Sequence, residues 1–353
     1  MVDLLSYLPW AASPLIMNAP MGGFANGALA GSVTVAGGLG FIGSIMNMTD
    51  LAVNLRIASD IIKDAPGIQQ TPDDTLQVGV GLLPFVANLT QAVPVIAEYK
   101  PAVVWLFAAH ELADFGEWAT ELRAASPASK IWVQVGNVKT ALYVAETAEP
   151  DALCLQGNDA GGHGFEQSAG IISLVPETRD ALDRAGFANM TIVASGGITD
   201  GRGVASALAL GAQGAVLGTR FLASKEITIH PINQAAIIEA QDGGVTTVKS
   251  KVFDELAGPN IWPEVYDGRS LAVQSYVDWQ NGVPIEEIRE RYAEAVAGPD
   301  RGFALGLRGR AAIWAGSGVG LVKEVENAAD IVKSVRREAR RVLHRTAQKY
   351  LDC

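Results

Sequence analysis

Cysteine is almost absent from this 353-residue chain, which has only Cys154 and Cys353. Such a pair supplies no disulfide framework and no C-x-x-C motif, so a thiolate metal site is excluded. Cys154 lies in the apolar run Asp151-Ala-Leu-Cys-Leu-Gln156 and reads as a buried strand residue, not a nucleophile. Charge is scarce as well: 18% of residues are Asp, Glu, Lys or Arg, and the balance is acidic at −11. Nucleic acid and anionic membranes both require Lys/Arg-rich faces, so neither is an expected partner. The one basic run, Arg336-Arg337 with Arg340-Arg341, falls on a C-terminal helix among acidic neighbours and reads as a solvated face. No apolar run reaches bilayer-spanning length. The first ten residues carry Asp3 and no basic stretch, so they do not read as a signal peptide. The expectation is a soluble, cytoplasmic chain. Histidine is limited to four positions, and no His, Cys or carboxylate cluster has metal-ligand spacing, so no metal is expected. The G-x-S-x-G elbow that would support a Ser-His-Asp hydrolase is also missing.

What the chain does have is a repeating pattern. Nearly half of it, 49%, is hydrophobic. Short apolar runs at 14–19, 39–44, 77–83, 102–107, 130–135, 151–156, 190–195 and 214–217 alternate with stretches of helical periodicity. Unbroken apolar strands separated by helices imply a parallel sheet covered on both faces, and eight such units close a (β/α)8 barrel. An open doubly wound sheet is the alternative. The pattern breaks after Phe221. Residues 225–315, interrupted by Gly243-Gly244, Gly258-Pro259, Gly282 and Gly298-Pro299, read as a smaller, mostly helical domain. The expected division is therefore a barrel over 1–224, a helical substrate-capping domain over 225–315, and a C-terminal segment over 316–353 whose helix packs back on the barrel.

In an α/β barrel the working end is the C-terminal end of the strands. The residues found there are small: Asn18-Ala-Pro-Met-Gly22, Gly79-Val-Gly81, Gln134, Gln156-Gly-Asn-Asp-Ala-Gly-Gly-His163, Ser195-Gly-Gly-Ile198 and Gly218-Thr219. Glycine allows close approach of a ligand to backbone amides. Loops seven and eight are the usual place for a phosphate in this fold, so Ser195, Gly196, Gly197, Gly218 and Thr219 read as a phosphate site. Neither loop has a Lys, and Arg220 is the only nearby cation. Gly38-Leu-Gly-Phe-Ile-Gly43 matches a dinucleotide fingerprint, but a helix precedes it and it runs into a strand, so that reading is rejected. His163 is the one histidine in a glycine-rich working loop, able to move a proton near neutral pH or to donate to an oxygen. His110 follows the fourth strand and also lies at the rim. Trp262, Tyr266, Trp279 and Trp314 are candidates for a pocket wall or for ordinary packing.

These stretches resemble the nitronate monooxygenases, formerly 2-nitropropane dioxygenases. The matching segments are Ile16-Met-Asn-Ala-Pro-Met-Gly-Gly23, Ala36-Gly-Gly-Leu-Gly-Phe-Ile-Gly43, Gln156 to His163, Ala194 to Gly203, Leu208-Ala-Leu-Gly-Ala212, Gly218-Thr-Arg-Phe-Leu222 and Trp314-Ala-Gly-Ser-Gly-Val-Gly320. The resemblance implies a TIM barrel binding FMN non-covalently, with a helical substrate domain. It implies that Pro20, Met21 and Gly22 contact the flavin, that Gln134 and Gln156 reach its ring or ribityl chain, and that Gly161 and Gly162 border it. Ser195, Gly196, Gly197, Gly218 and Thr219 would hold its phosphate, and His163 matches the family's active-site histidine. Two departures stand out: Gln134 occupies a position where many relatives have Lys, and Gly81 one where many bacterial relatives have Asn. The implied reaction is oxidation of a nitronate with O2 to a carbonyl compound and nitrite. Two alternatives stay open: an NAD(P)H-dependent reductase of the quinone or enoyl-ACP type on the same scaffold, and a non-catalytic barrel that binds a phosphorylated ligand. The physiological substrate is not legible, and nothing excludes a homo-oligomer.

Overall fold

The computed structural model describes residues 4–71 and 73–351; Cys353 and the first three residues of the N-terminal reading lie outside these. In chain order the strands are β1 (Leu15–Asn18), β2 (Gly40–Gly43), β3 (Leu76–Leu82), β4 (Pro101–Leu106), β5 (Lys130–Val135), β6 (Ala152–Gln156), β7 (Gly162–Phe165), β8 (Thr191–Ser195), β9 (Gly214–Leu217), β10 (Thr247–Ser250) and β11 (Tyr266–Leu271). All but β7, β10 and β11 form one parallel sheet in the order β1-β9-β8-β6-β5-β4-β3-β2. A parallel bridge between Met17 and Leu39 joins its two edges, completing the expected barrel.

Side-chain alternation explains both the apolar runs and the placement of the polar residues. Met17, Phe41, Trp105, Trp132, Cys154, Val193 and Val216 fill the barrel interior. Their strand neighbours Ile16, Ile42, Val104, Val133, Leu155, Ala194 and Leu217 pack outward under the helices. Two residues beyond an inward position, the chain again points inward, now at the mouth. Trp132 is thus followed by Gln134, Cys154 by Gln156, Val193 by Ser195 and Val216 by Gly218. Cys154 is fully buried, and burial pushes its thiol pKa far up, which removes it as a nucleophile.

After the strands, Asn and Asp residues mark where the exit loops become helices. Asn26, Asn47, Asn88, Asn137 and Asp200 each accept backbone N–H bonds at a helix start. The last helix, Ala328–Leu351, packs against helices Gly201–Ala209 and Gly27–Val35 and against β1. Its basic run is only partly a solvated face. Arg336 is buried and donates to the carbonyls of Pro14, Ala36 and Gly37 at 3.1, 2.9 and 2.6 Å, and Arg340 donates to Ser13. These bonds close the exposed carbonyl end of helix Gly27–Val35.

The 225–315 segment departs from the helical expectation. It contains helices Pro231–Glu239, Gly243–Thr246, Val252–Glu255, Gln274–Gln280 and Ile285–Ala297, but also β10 and β11. The latter strand pairs antiparallel with β10 on one side and β7 on the other. The partner β7 is supplied by the loop after β6, so the pairing is long-range and left no local alternation to read. Among the described residues no helix is long and apolar enough to cross a membrane.

Candidate active site

At the C-terminal ends of the strands lie two adjoining lobes of one cavity. The deeper lobe, about 60 Å3, is lined by Ser195, Gly196, Gly197, Thr199, Gly218, Thr219, Gly316 and Gly318 among others. The wider lobe, about 290 Å3, is lined by Pro20, Met21, Gly22, Gly162, His163, Leu82, Leu83, Phe107, Trp262 and Trp314 among others. Gln134, Gln156 and Gly161 border both. The expected flavin and phosphate positions and His163 therefore meet at one opening. No Lys, Arg, Asp or Glu is among the described residues lining either lobe, and His163 is the one titratable side chain on the wall.

The deep lobe is rich in donors that the protein leaves free. Ser195 Oγ accepts from the Cys154 thiol at 3.6 Å, and Thr219 Oγ1 accepts the Gly316 N–H at 2.9 Å. Each hydroxyl thus retains its own hydrogen for a ligand. Thr199 Oγ1 is buried with no partner. Gly196 has φ +98°, a conformation open to glycine, and a Cβ there would lie 2.6 Å from the Gly157 carbonyl. Arg220 is not part of this lobe. It is held by Glu326 and the Glu324 carbonyl, so the helper role raised from its position is not supported.

The loop from β6 to β7 is clamped from outside. Arg269 donates to the Asn158 carbonyl at 3.1 and 3.3 Å, and Ser317 Oγ donates to Asp159 Oδ1 at 2.7 Å. Gln156 Nε2 donates to the His163 carbonyl at 3.0 Å, tying the start of the loop to its end. These contacts hold His163, on β7, opposite Gly268 on β11. Its ring stacks on Trp262 with centroids 3.7 Å apart and planes 8° from parallel, and Trp314 sits at 4.7 Å. A Cβ at Gly268 would lie 2.5 Å from the Trp314 ring, so that glycine makes room for the aromatic enclosure. Nε2 of His163 lies 2.6 Å from Oδ1 of Asp254, whose side chain is 4% exposed.

The remaining candidates separate cleanly. His110 is exposed and edge-on to Phe85. His230 caps helix Pro231–Glu239 by accepting the Ile232 N–H, and His344 is exposed on the last helix. Of the four aromatics, Trp262 and Trp314 line the cavity. Tyr266 is fully buried with its hydroxyl accepting the Ala109 N–H at 3.3 Å, and Trp279 is 46% exposed against Tyr276. Sequence reasoning missed Asp254, Thr199, Gly316 and Gly318. Asp254 carried one faint signal, an acidic residue amid the apolar Val252, Phe253 and Leu256. Thr199 lay four residues beyond Ser195 in a loop already marked.

The nitronate monooxygenase family model matches residues 9–338. The nitronate monooxygenase npaC of Metarhizium robertsii is 40% identical over 343 residues, spanning 96% of this chain and 95% of that protein. The nitronate monooxygenase of Neurospora crassa is 38% identical, spanning 96% and 93%. Among solved structures, FabK from Thermotoga maritima has a TM-score of 0.72 at 24% identity, covering 99% of both chains. The nitroalkane oxidase from Streptomyces ansochromogenes has a TM-score of 0.67 at 24% identity, covering 95% and 98%. At that identity the structural likenesses speak to the fold.

Proposed function

Because the chain belongs to the nitronate monooxygenase family, we propose that it is an FMN-dependent enzyme that oxidises alkyl nitronates with O2 to a carbonyl compound and nitrite. The observation that carries this reading is the two-lobed cavity, whose uncharged donor-rich end adjoins an apolar chamber with one titratable side chain. The deep lobe suits a phosphate monoester held by the hydroxyls of Ser195, Thr199 and Thr219 and by the amides around Gly196, Gly197 and Gly218. The wide lobe suits a flat tricyclic ring against Pro20, Met21, Gly22, Gly161 and Gly162, with the carboxamides of Gln134 and Gln156 at its polar edge. When bound there, the flavin supplies the two-electron redox chemistry that no side chain of this cavity can perform.

The protein's part is placement and proton handling. Leu83, Phe107, Trp262 and Trp314 wall the chamber and keep water from the substrate's carbon chain. A nitronate is already deprotonated and asks for no base, and it is the protonated His163 ring, with hydrogen on both nitrogens, that can donate to its oxygens. A neutral nitroalkane must first lose its α-proton, and His163 is the only lining group able to take it. The 225–315 segment serves as the cap, contributing Trp262 and Trp314 to the wall.

The deciding experiment is anaerobic mixing of the purified yellow protein with an alkyl nitronate, and separately with NADH and NADPH. Flavin bleaching by the nitronate, with nitrite and carbonyl product after O2 is admitted, is the expected result. Bleaching by a nicotinamide nucleotide alone would replace this reading with a reductase, and a colourless protein that takes up no FMN would overturn it.

A further inference from the structure

We propose that Asp254 is the positioning residue of His163: it holds the imidazole with its proton on Nε2 and so makes Nδ1 the atom that takes or gives the proton. A carboxylate can only accept, so Nε2, 2.6 Å from Oδ1, must carry hydrogen. In the neutral ring this leaves the lone pair on Nδ1 alone. When Nδ1 gains a proton, the resulting imidazolium faces the Asp254 side chain across the same bond.

Three observations separate this from simple packing. The Asp254 side chain has one polar partner among the described residues, His163, and its other oxygen, Oδ2, is buried with none. A carboxylate so enclosed is costly to keep, and an apolar residue would pack helix Val252–Glu255 better. The Trp262 stack and the nearby Trp314 hold the plane of the ring, in which Nε2 is the nitrogen that meets Asp254. The two lysines nearby are each matched by a carboxylate other than Asp254. On the flanking strands Lys249 binds Asp267 at 2.8 Å, and Lys251, beside the helix, binds Glu166 at 3.0 Å. Glu255 follows Asp254 in the helix, with its carbonyl bound by Arg289. Among the described residues, Asp254 is the one titratable group bonded to the His163 ring.

The kinetic part of the test rests on the functional reading above; the spectroscopic part does not. In wild-type protein labelled with 15N-histidine, with the His163 signals identified by their loss in His163→Asn, the neutral ring is expected to be protonated at Nε2. A neutral ring protonated at Nδ1 overturns the proposal, whatever the substrate proves to be. In Asp254→Asn the amide can donate to Nε2 as readily as accept from it. This variant is expected to keep its flavin content, to show a mixed or inverted tautomer, and to lose about 10- to 100-fold in kcat on a neutral nitroalkane. Turnover of a pre-formed nitronate falls by less than about 3-fold, because that substrate asks for no base. An Asp254→Asn enzyme with an unchanged tautomer and an unchanged nitroalkane-to-nitronate ratio also overturns the proposal. Asp254→Glu, which restores the acceptor, is expected to recover part of the lost rate.

Discussion

Trp105 donates its indole N–H to Oε1 of Gln134 at 3.2 Å, inside the barrel just below the cavity. An indole nitrogen is a donor only, so this bond fixes which end of the carboxamide is oxygen. The N–H2 group is left without a protein partner where Gln134 borders both lobes. A neutral donor therefore stands where many relatives carry a lysine, and the Trp105 bond accounts for its orientation.

The proposed flavin should report that difference. A cation at this position would favour the anionic reduced form of the ring, and wild type has none. In Gln134→Lys the midpoint potential is expected to rise by about 30 mV or more, equivalent to about 1.4 kcal/mol for a two-electron couple. Spectroelectrochemical titration of both proteins measures it. A potential that stays put or falls would remove the argument.

Gly81 presents a steric question. A Cβ at this position would lie 2.4 Å from Cβ of Pro20, in the loop that borders the wide lobe. The side chain found in many bacterial relatives therefore cannot be added here without displacing that loop. Gly81→Asn is expected to weaken FMN binding by about 10-fold, the equivalent of about 1.4 kcal/mol. Flavin fluorescence quenching gives the affinity, and an unchanged value would mean that the loop yields freely.

The basic run on the last helix divides into buried and exposed members, and the two should behave differently. Arg336→Ala strips donors from three carbonyls inside the protein. It is expected to cost about 2–4 kcal/mol of stability. Arg337→Ala, at an exposed position, should stay within about 0.5 kcal/mol of wild type. Urea unfolding of the two variants side by side distinguishes them, and equal midpoints would contradict the assignment of Arg336 as an internal tie.

The legible parts of this molecule are those with a local period. The unbroken apolar runs marked the strands and read Cys154 as a buried strand residue. The ends of those runs put Gln134, Gln156 and Ser195 at the mouth. What stayed illegible depends on contacts between distant segments. Asp254 lies 91 residues from His163, on a short helix with no motif of its own. Strand β11 is almost wholly buried yet carries Asp267, Gly268, Arg269 and Ser270 between its apolar ends, so its sequence YDGRSL does not announce a strand. Arg220 was near the phosphate loop in sequence, yet its side chain follows Glu326 away from it. Proximity in sequence locates a backbone; a long side chain goes where its charge is neutralised.

His163 is the residue on which the proposed chemistry turns, and substrate choice can separate its two suggested tasks. As the only titratable group on the cavity wall, it has no substitute for removing an α-proton. A nitronate needs no such step, but still gains from a donor to its oxygens. In His163→Asn the carboxamide can donate but cannot act as a base at neutral pH. Flavin content should match wild type, because the donors of the deep lobe are untouched. Turnover of a neutral nitroalkane is expected to fall by about 100-fold or more. Turnover of the corresponding nitronate should fall far less, by about 10-fold at most, because that substrate asks for no base. Steady-state rates on the matched pair, measured at one pH, give the ratio directly. Wild-type turnover of the nitroalkane would remove His163 from proton transfer, and equal losses on both substrates would make it a binding residue instead of a base.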